Sequence, residues 1–318
     1  MDIAREIVDG KRLQPTDDLN FLLTTPLEEL QKGAALIQEN FCGKHIDLCT
    51  IVNGKSGRCS ENCKYCAQAA RHHTGIAEYD FLPSEKILSV ALANEKAGVN
   101  RFAIVTSGRA LDGKNFERAI DTYKILRAEL KIDLCASHGI LTGEQLKRLR
   151  AAGVKRYHHN LETSRRFFPQ ICTSHTYDDR IRTIKLAQAA GLEVCSGGII
   201  GMGETWQDRI DLAFEVAALG IKSIPINVLD AIKGTPLENL PRLTTEEILR
   251  TVAIFRYINP TAHVRFAAGR KFLPDGGASA FLHGASAAIT GNMLTTSNIN
   301  IQSDLKLLAQ LGLTNREE

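Results

Sequence analysis

The chain repeats one pattern of hydrophobic and polar positions along most of its length. A helix-like amphipathic segment ends in a small residue and Gly, and a short apolar run follows, as in EKAGVNRFAIV at 95–105 and QAAGLEVCSGGII at 188–200. Gly after a helical segment is typical of a helix C-terminus, and the apolar run that follows is typical of a buried strand. Alternating helices and strands predict a parallel sheet covered by helices.

Eight strands are predicted by this pattern, beginning with HIDLCTIV at 45–52 and continuing near residues 101, 132, 155, 192, 222, 263 and 286. Eight units favour a (β/α)8 TIM-type barrel, in which functional residues lie at the strand C-termini and in the loops that follow. An open doubly wound sheet is the alternative, but no G-x-G-x-x-G follows the first strand, which argues against a dinucleotide-binding version. We expect an N-terminal helical extension at 1–40 and a barrel with a C-terminal helical segment at 41–318.

The composition adds little to this picture and excludes two classes of partner. Of the 318 residues, 44% are hydrophobic and 24% are charged, with a net charge of +3. The sequence has no run of Lys and Arg of the kind that would indicate nucleic-acid binding. It also has no segment that approaches the ~20 apolar residues of a membrane span. The start, MDIAREIVDG, lacks the apolar region of an export signal, so we expect a cytoplasmic protein whose eight cysteines stay reduced.

Three cysteines lie close together in RCSENCKYCA, directly after the first predicted strand. Cys59, Cys63 and Cys66 are separated by gaps of three and two residues. A structural zinc site typically uses four protein ligands, whereas three thiolates without an obvious local fourth suit a [4Fe–4S] cluster with one open iron. Three core thiols are the alternative, but the surrounding segment is too polar for a core. The spacing therefore predicts a cluster at the functional mouth of the barrel.

The spacing C-x3-C-x-aromatic-C, with Tyr65 as the aromatic residue, resembles the signature of the radical S-adenosylmethionine superfamily. Several blocks also resemble the biotin synthase family and fall in the expected order: NGKSGRCSENCKYCAQAARHHTG, YHHNLETS, EVCSGGIIGMGET, SIPINVL with KGTPL, and VRFAAGR. The resemblance implies that the open iron binds S-adenosylmethionine, whose cleavage yields a 5′-deoxyadenosyl radical. It also implies conversion of dethiobiotin to biotin by two hydrogen abstractions and insertion of one sulfur from an auxiliary iron–sulfur cluster.

The resemblance assigns roles to single residues, all of them outside classical acid–base catalysis. Besides the cysteine triplet, it matches Tyr65, Asn160, Glu162 and Arg180 to S-adenosylmethionine binding, and Asn160 and Asn227 to substrate binding. An amide supplies both the donor and the acceptor that a neutral ureido ring needs. Without the resemblance, a turn Asn, a solvated Glu and a surface Arg are the alternatives. His158 and His159 are interpreted as non-ligands because neighbouring strand residues point to opposite faces, and Cys172 is left unassigned.

The predicted strands also align into a column of third positions, formed by Cys49, Ala103, Cys135, Cys195 and Arg265. We expect these residues to form one layer inside the barrel. The resemblance implies a [2Fe–2S] cluster on three cysteines and an arginine at this layer, yet Ala103 stands where the first cysteine is expected. Cys42 and Cys49 are additional thiols nearby in sequence. The pattern is similar to that of a family branch with a larger auxiliary cluster that carries an extra sulfide.

We therefore predict a four-iron auxiliary cluster on Cys42, Cys49, Cys135 and Cys195, with Arg265 as a charge partner or weak ligand. A [2Fe–2S] cluster on Cys135, Cys195 and Arg265 is the alternative, in which Cys42 and Cys49 are small buried hydrophobes. The resemblance further implies dethiobiotin as substrate, an electron donor of the flavodoxin or ferredoxin type, and a homodimer. Competing functions are another barrel radical S-adenosylmethionine enzyme, such as a mutase or maturase, and a non-catalytic metal-binding protein.

Overall fold

A computed structural model describes residues 2–292, 294 and 299–316. Within these residues, the parallel strands of the single sheet are β1 (Asp47–Lys55), β2 (Arg101–Thr106), β3 (Asp133–Ser137), β4 (Val154–His158), β5 (Glu193–Cys195), β6 (Gly198–Ile200), β7 (Ser223–Val228), β8 (His263–Phe266) and β9 (Ala287–Ile289). They are ordered β5-β4-β3-β2-β1-β9-β8-β7-β6, and a pairing between β5 and β7 closes the sheet.

The closed sheet is an eight-stranded barrel, because β5 and β6 are two parts of one barrel strand separated by Ser196 and Gly197. Each of the eight strands that the sequence predicts is present near its expected position. The predicted (β/α)8 architecture is therefore confirmed, and the open doubly wound alternative is wrong.

The helices of the described residues are α1 (Asp2–Val8), α2 (Phe21–Thr24), α3 (Leu27–Cys42), α4 (Ser84–Lys96), α5 (Gly113–Glu129), α6 (Gly143–Ala151), α7 (Phe168–Ile171), α8 (Tyr177–Ala189), α9 (Trp206–Ala218), α10 (Thr245–Ile258), α11 (Ala278–Leu282) and α12 (Ile301–Gln310). Four of them begin with a capping box, formed by Thr142, Thr176, Thr205 and Thr244 with the residue three positions later. Each box satisfies N–H groups that a helix start leaves unpaired.

The N-terminal helices pack on the outside of the barrel. α1 and α2 come before α3, and α3 packs against both α1 and α10. The close approach of α3 to α10 depends on Gly33, because a Cβ at this position would collide with the hydroxyl of Tyr257. In the part of the chain that the structure describes, every helix is too short or too polar to cross a membrane.

Candidate active site

A cavity of about 350 Å³ opens inside the barrel. Its wall contains side chains from the cysteine loop after β1, from the strands, and from the segments that follow the strands, including Cys49, Tyr65, Cys66, Cys135, Asn160, Glu162, Cys195, Asn227 and Arg265. The volume lies within the range of small-molecule sites. The loops that follow the strands are at the C-terminal end of the barrel, where enzymes of this fold have their reactive groups.

The loop that carries the predicted cluster cysteines folds back on itself. The Cys59 N–H donates to the Gln68 carbonyl at 3.0 Å, and the Cys66 N–H donates to the Cys63 carbonyl at 3.0 Å. Cys59 and Cys63 are buried, whereas Cys66 is half-buried and lines the cavity. The fold of the loop thus brings the triplet together and leaves one of its thiols facing the space where a ligand would bind.

The backbone that leads from β1 into this loop has an uncommon conformation at two successive residues. Gly57 has a φ of 73° and Arg58 a φ of 50°, in the left-handed region that side chains with a Cβ rarely adopt. A Cβ at Gly57 would lie 2.6 Å from Cγ of Glu78. The chain therefore needs glycine here to turn out of β1 and into the cysteine loop.

A fourth thiol lies beside the triplet. Sγ of Cys172, which directly follows α7, is 3.7 Å from Sγ of Cys63. The side-chain oxygen of Asn62 accepts hydrogen bonds from the N–H groups of Thr173 at 2.9 Å and Ser174 at 3.1 Å, and so ties the two loops together. The sequence gives no sign of this contact, because more than a hundred residues separate the two cysteines.

Three of the four residues matched to S-adenosylmethionine, Asn160, Glu162 and Arg180, form one hydrogen-bonded group. Arg180 Nη1 donates to the Asn160 carbonyl at 2.7 Å and lies 3.4 Å from Oε1 of Glu162. Asn160 Nδ2 donates to Oε2 of Glu162 at 3.2 Å, and Asn160 Oδ1 accepts from the Gly197 N–H at 3.2 Å. Asn160, Glu162 and Tyr65 line the cavity. Arg180 is buried beneath them and is not among the residues of the cavity wall, so it can act only by holding the other two.

Asn227 lies on β7 at the cavity wall. Its Nδ2 donates to the Gly198 carbonyl at 3.1 Å, and its Oδ1 accepts from the Ala268 N–H at 3.2 Å. An amide has two N–H groups and two oxygen lone pairs, so one donor and one acceptor site remain after these bonds. The position therefore offers a ligand the pair of functions that the sequence predicted.

The predicted interior layer is present in the barrel. Cys49, Ala103 and Cys135 pack against one another, and Cys195 and Arg265 line the same cavity. The strand register pairs Ala103 with Ile51 rather than with Cys49. Tilted barrel strands bring residues of different register to one level, which is why the simple alignment still found the layer.

Cys42 is not brought to this layer. It lies at the end of α3, and its Sγ is 3.8 Å from the carbonyl oxygen of Ala262, which it faces as a weak donor. It is not among the residues that line the cavity. The expectation that Cys42 joins Cys49 as a ligand is wrong in this structure, because α3 continues to Cys42 and directs its thiol to the Ala262 carbonyl, directly before β8, and not to the cavity.

A network of buried charges lies beside the layer of cysteines. Asp47 Oδ2 pairs with Arg101 at 2.9 Å, with Arg265 at 3.0 Å and with Arg156 at 3.4 Å. Burial alone would raise the pKa of Asp47, but the three guanidinium groups lower it far below its usual range. Arg101 also pairs with Asp133 at 2.6 Å and Arg156 with Glu193 at 2.8 Å, so Arg265 is the guanidinium of this network that relies on Asp47.

Neighbouring polar and charged groups change the pKa values of the thiols in this layer. Burial opposes ionisation of Cys195, yet a hydrogen bond with His158 and the charge of Arg265 lower the pKa of Cys195 to about 6. The pKa of Cys135 is also lowered, first by a hydrogen bond with Cys49, whose own pKa is raised as the donor. Thiolates are the form that binds iron, so these shifts favour metal binding at Cys135 and Cys195 and oppose it at Cys49.

Comparison with known proteins agrees with this site. The radical SAM superfamily matches residues 55–216, and the biotin and thiamin synthesis associated domain matches residues 225–314. The biotin synthase of Clostridium beijerinckii is 56% identical over 312 residues, which cover 98% of this chain and 99% of the relative. That of Alkaliphilus metalliredigens is 54% identical and covers 98% of both chains. The chain belongs to the biotin synthase family.

Solved structures with the same fold are more distant. Methylornithine synthase superposes with a TM-score of 0.86 at 18% identity, covering 99% of this chain and 97% of the other. The [FeFe]-hydrogenase maturase HydG superposes with a TM-score of 0.85 at 18% identity, covering 99% and 75%. At this identity the likeness shows the fold alone, so the mutase and maturase alternatives gain no support over the family established by sequence.

As a member of the biotin synthase family, the chain is a radical S-adenosylmethionine enzyme that uses a [4Fe–4S] cluster. The cysteine loop fits this cofactor. Its three thiols belong to one folded loop, and burial raises the pKa of Cys66 to about 11, so coordination to iron would hold that thiol as thiolate. Cys59, Cys63 and Cys66 would hold the cluster, and Cys66 lines the same cavity as Glu162 and Asn160.

Sequence reasoning missed several residues of this biotin synthase family site. Arg156 lines the cavity beside Cys135, its register partner, and continuing the strand alignment into β4 would have placed it there. His158 also lines the cavity, next to Cys195. For Asp47, the only indication in the sequence is a charged residue at the start of an otherwise apolar strand.

The Asp47 network is expected to be important for stability. Asp47→Asn leaves the buried Arg265 without its carboxylate partner, whereas Arg101 and Arg156 keep Asp133 and Glu193. Breaking a buried pair costs ~3–5 kcal/mol. Because its pKa is depressed in the folded state, the carboxylate contributes stability above its unfolded pKa of about 4, and this contribution is lost as pH falls. Urea unfolding at pH 7 measures the effect. Asp121→Asn, at an exposed pair with Lys124, is the control and should change stability by less than ~1 kcal/mol; equal effects in both variants would contradict the assignment.

Proposed function

We propose that this chain converts dethiobiotin to biotin, with S-adenosylmethionine as the source of the radical. In this reaction two C–H bonds of dethiobiotin are broken and one sulfur atom forms two C–S bonds. Cys59, Cys63 and Cys66 would hold the [4Fe–4S] cluster, which, once reduced by an external electron donor, would supply the electron for cleavage of S-adenosylmethionine. The observation that carries the proposal is that one cavity joins Cys66 of the cluster loop to the buried layer of Cys49, Cys135 and Cys195.

The residues between these two ends position the reactants. Glu162 and Asn160 present a carboxylate and an amide to the cavity, which suit the hydroxyl groups of a ribose. Arg180 fixes both from behind, because it bonds the Asn160 carbonyl and faces the Glu162 carboxylate. Tyr65 places an apolar ring beside the cluster loop, and burial raises its pKa so that it stays protonated. The barrel wall excludes water from a radical that would otherwise react without selectivity.

The test is anaerobic reconstitution of the full chain, followed by iron and sulfide counts and a biotin assay on the same sample. Biotin formed from dethiobiotin together with 5′-deoxyadenosine supports the proposal. Labile sulfide without any biotin formation indicates a different radical enzyme, and metal without sulfide indicates a non-catalytic metal-binding protein. Both of these results contradict the proposal.

Asn227 is proposed to recognise the ureido ring. Asn227→Ala removes one donor and one acceptor from the cavity wall, and an unmade buried hydrogen bond costs ~1–3 kcal/mol. Dethiobiotin binding is therefore expected to weaken roughly tenfold to a hundredfold. S-adenosylmethionine cleavage without substrate, measured in parallel, should change little. Unaltered dethiobiotin affinity shows that the ring binds elsewhere.

We further propose an auxiliary iron–sulfur cluster on Cys49, Cys135 and Cys195. Arg265 is its charge partner rather than its ligand, because Nη1 and Nη2 of the guanidinium already donate to Asp47 and to the Ala288 carbonyl. Three thiolates leave one corner of a four-iron cluster for a sulfide, which favours the four-iron type. A [2Fe–2S] cluster on Cys135, Cys195 and Arg265 is the competing arrangement.

The remaining proposals rest on the sequence pattern, for the domain division and the location, and on the family, for the dimer and the electron donor. They are a division into an extension at 1–40 and a barrel with its C-terminal helices at 41–318, a homodimer, a flavodoxin or ferredoxin type electron donor, and a cytoplasmic location. All eight cysteines are free, which supports a reducing compartment. Light scattering during gel filtration tests the dimer.

A further inference from the structure

We propose that Glu61, Cys172 and His175 form a binding site for a single divalent transition-metal ion when the chain lacks its cluster. The three side chains are buried, and their ligand atoms all lie within 4.8 Å of one another. One thiol, one imidazole and one carboxylate are a ligand set that suits Zn²⁺ and Fe²⁺. The three residues of this site lie outside the cysteine triplet, although the site also reaches Cys63 of the triplet, and the proposal does not depend on the reaction proposed above.

The sulfur–nitrogen distance agrees with coordination of one ion, whereas Glu61 and His175 are in direct contact and have to separate to admit an ion between them. Cys172 Sγ lies 3.4 Å from Nδ1 of His175. A metal–sulfur bond of ~2.3 Å and a metal–nitrogen bond of ~2.0–2.1 Å at a tetrahedral angle place these two atoms about 3.5 Å apart. Glu61 Oε2 contacts Nδ1 of His175 directly. Ser174 Oγ donates to the same carboxylate oxygen at 2.7 Å, which orients it as an outer-shell group orients a metal ligand.

Cys63 is the fourth donor of this site. Its Sγ lies 3.7 Å from that of Cys172, and two sulfurs bound to one tetrahedral ion at ~2.3 Å are separated by about 3.7 Å. Once the cluster is built, Cys63 belongs to it. The single ion and the cluster therefore compete for Cys63.

An ion in this position would order the cluster loop. Glu61 and Cys63 belong to that loop, whereas Cys172 and His175 belong to the turn between α7 and α8. Metal binding stabilises the conformation that presents the ligands. The site thus holds the loop closed before cluster assembly, at the cost of having to release Cys63 when assembly begins.

Zinc affinity of the cluster-free full chain tests the proposal, measured by competition with a chromophoric chelator. We expect one tight site per chain, weakened at least about 100-fold in Cys172→Ser and His175→Ala, since even outer-shell changes cost 10–100-fold. Cys66→Ser, which breaks the triplet and leaves the proposed ligands intact, is the matched control and should keep the affinity within about threefold. Anaerobic titration with Fe²⁺ shows whether iron binds at the same position.

A second probe guards against misfolded variants. Co²⁺ bound at the site gives a thiolate-to-metal charge-transfer band, which should weaken in Cys172→Ser and persist in Glu61→Gln with reduced affinity. Equal loss of zinc binding in Cys66→Ser and Cys172→Ser places the ion on the triplet and overturns the proposal. Failure of the wild-type chain to bind zinc tightly also overturns it, and leaves Glu61 and His175 as an ordinary buried pair. Neither result bears on biotin formation by the loaded enzyme.

Discussion

Cys66→Ala is expected to abolish the reductive cleavage of S-adenosylmethionine. Cys66 is the triplet thiol that lines the cavity, and alanine cannot ligate iron. With two thiolates left, the cluster loses the protein ligand nearest the reactants. The measurement is 5′-deoxyadenosine formed with a chemical reductant, together with the iron content of the reconstituted protein. Cleavage at the wild-type rate by this variant would remove the central claim about the triplet.

Cys63 requires a different design. A substitute thiol lies within reach of this position, since Cys172 Sγ is 3.7 Å from Cys63 Sγ. Cys63→Ala is therefore expected to retain part of its iron, whereas Cys63→Ala/Cys172→Ala loses the cluster. Comparing the two variants measures how far Cys172 can replace the missing ligand. Cys172→Ala alone is the control and should cleave S-adenosylmethionine.

The fold could be predicted from local pattern because each helix–strand unit of the chain carries its own sequence signal. Glycines such as Gly98 and Gly191 end a helix with φ of 93° and 78°, and a buried strand follows each of them. The interior layer could also be predicted, because inward positions recur at the same offset from each strand start. Both inferences need only periodicity and backbone geometry.

The rest of the site depends on contacts between distant segments. Cys172 meets Cys63 across 109 positions, and nothing in either stretch indicates the other. The prediction for Cys42 was wrong for the opposite reason. Cys42 lies seven residues before Cys49 in the sequence, but it ends α3, which directs its side chain away from the cavity. Sequence spacing predicts ligands within one loop well, and predicts convergence between elements only where a regular lattice such as the barrel relates them.

Cys49→Ala is expected to remove the auxiliary cluster and biotin formation while S-adenosylmethionine cleavage continues. Cys49 packs against Cys135 inside the barrel and shares a hydrogen bond with it. Its loss leaves two thiolates, too few for the proposed four-iron cluster. The triplet belongs to the separate loop after β1, so its chemistry should remain. Biotin and 5′-deoxyadenosine measured on one sample separate the two activities.

The matched control is Cys42→Ala. Cys42 is half-buried and contacts the Ala262 carbonyl instead of the cavity, so its removal should leave both clusters and biotin yield intact. Iron counting decides between the cluster types: about eight irons per wild-type chain support the four-iron assignment, and about six support the two-iron competitor. In the competitor, Cys49 is only a small buried side chain, and Cys49→Ala keeps its iron. Full biotin yield from Cys49→Ala would end the proposal, because the layer would then need only Cys135, Cys195 and Arg265.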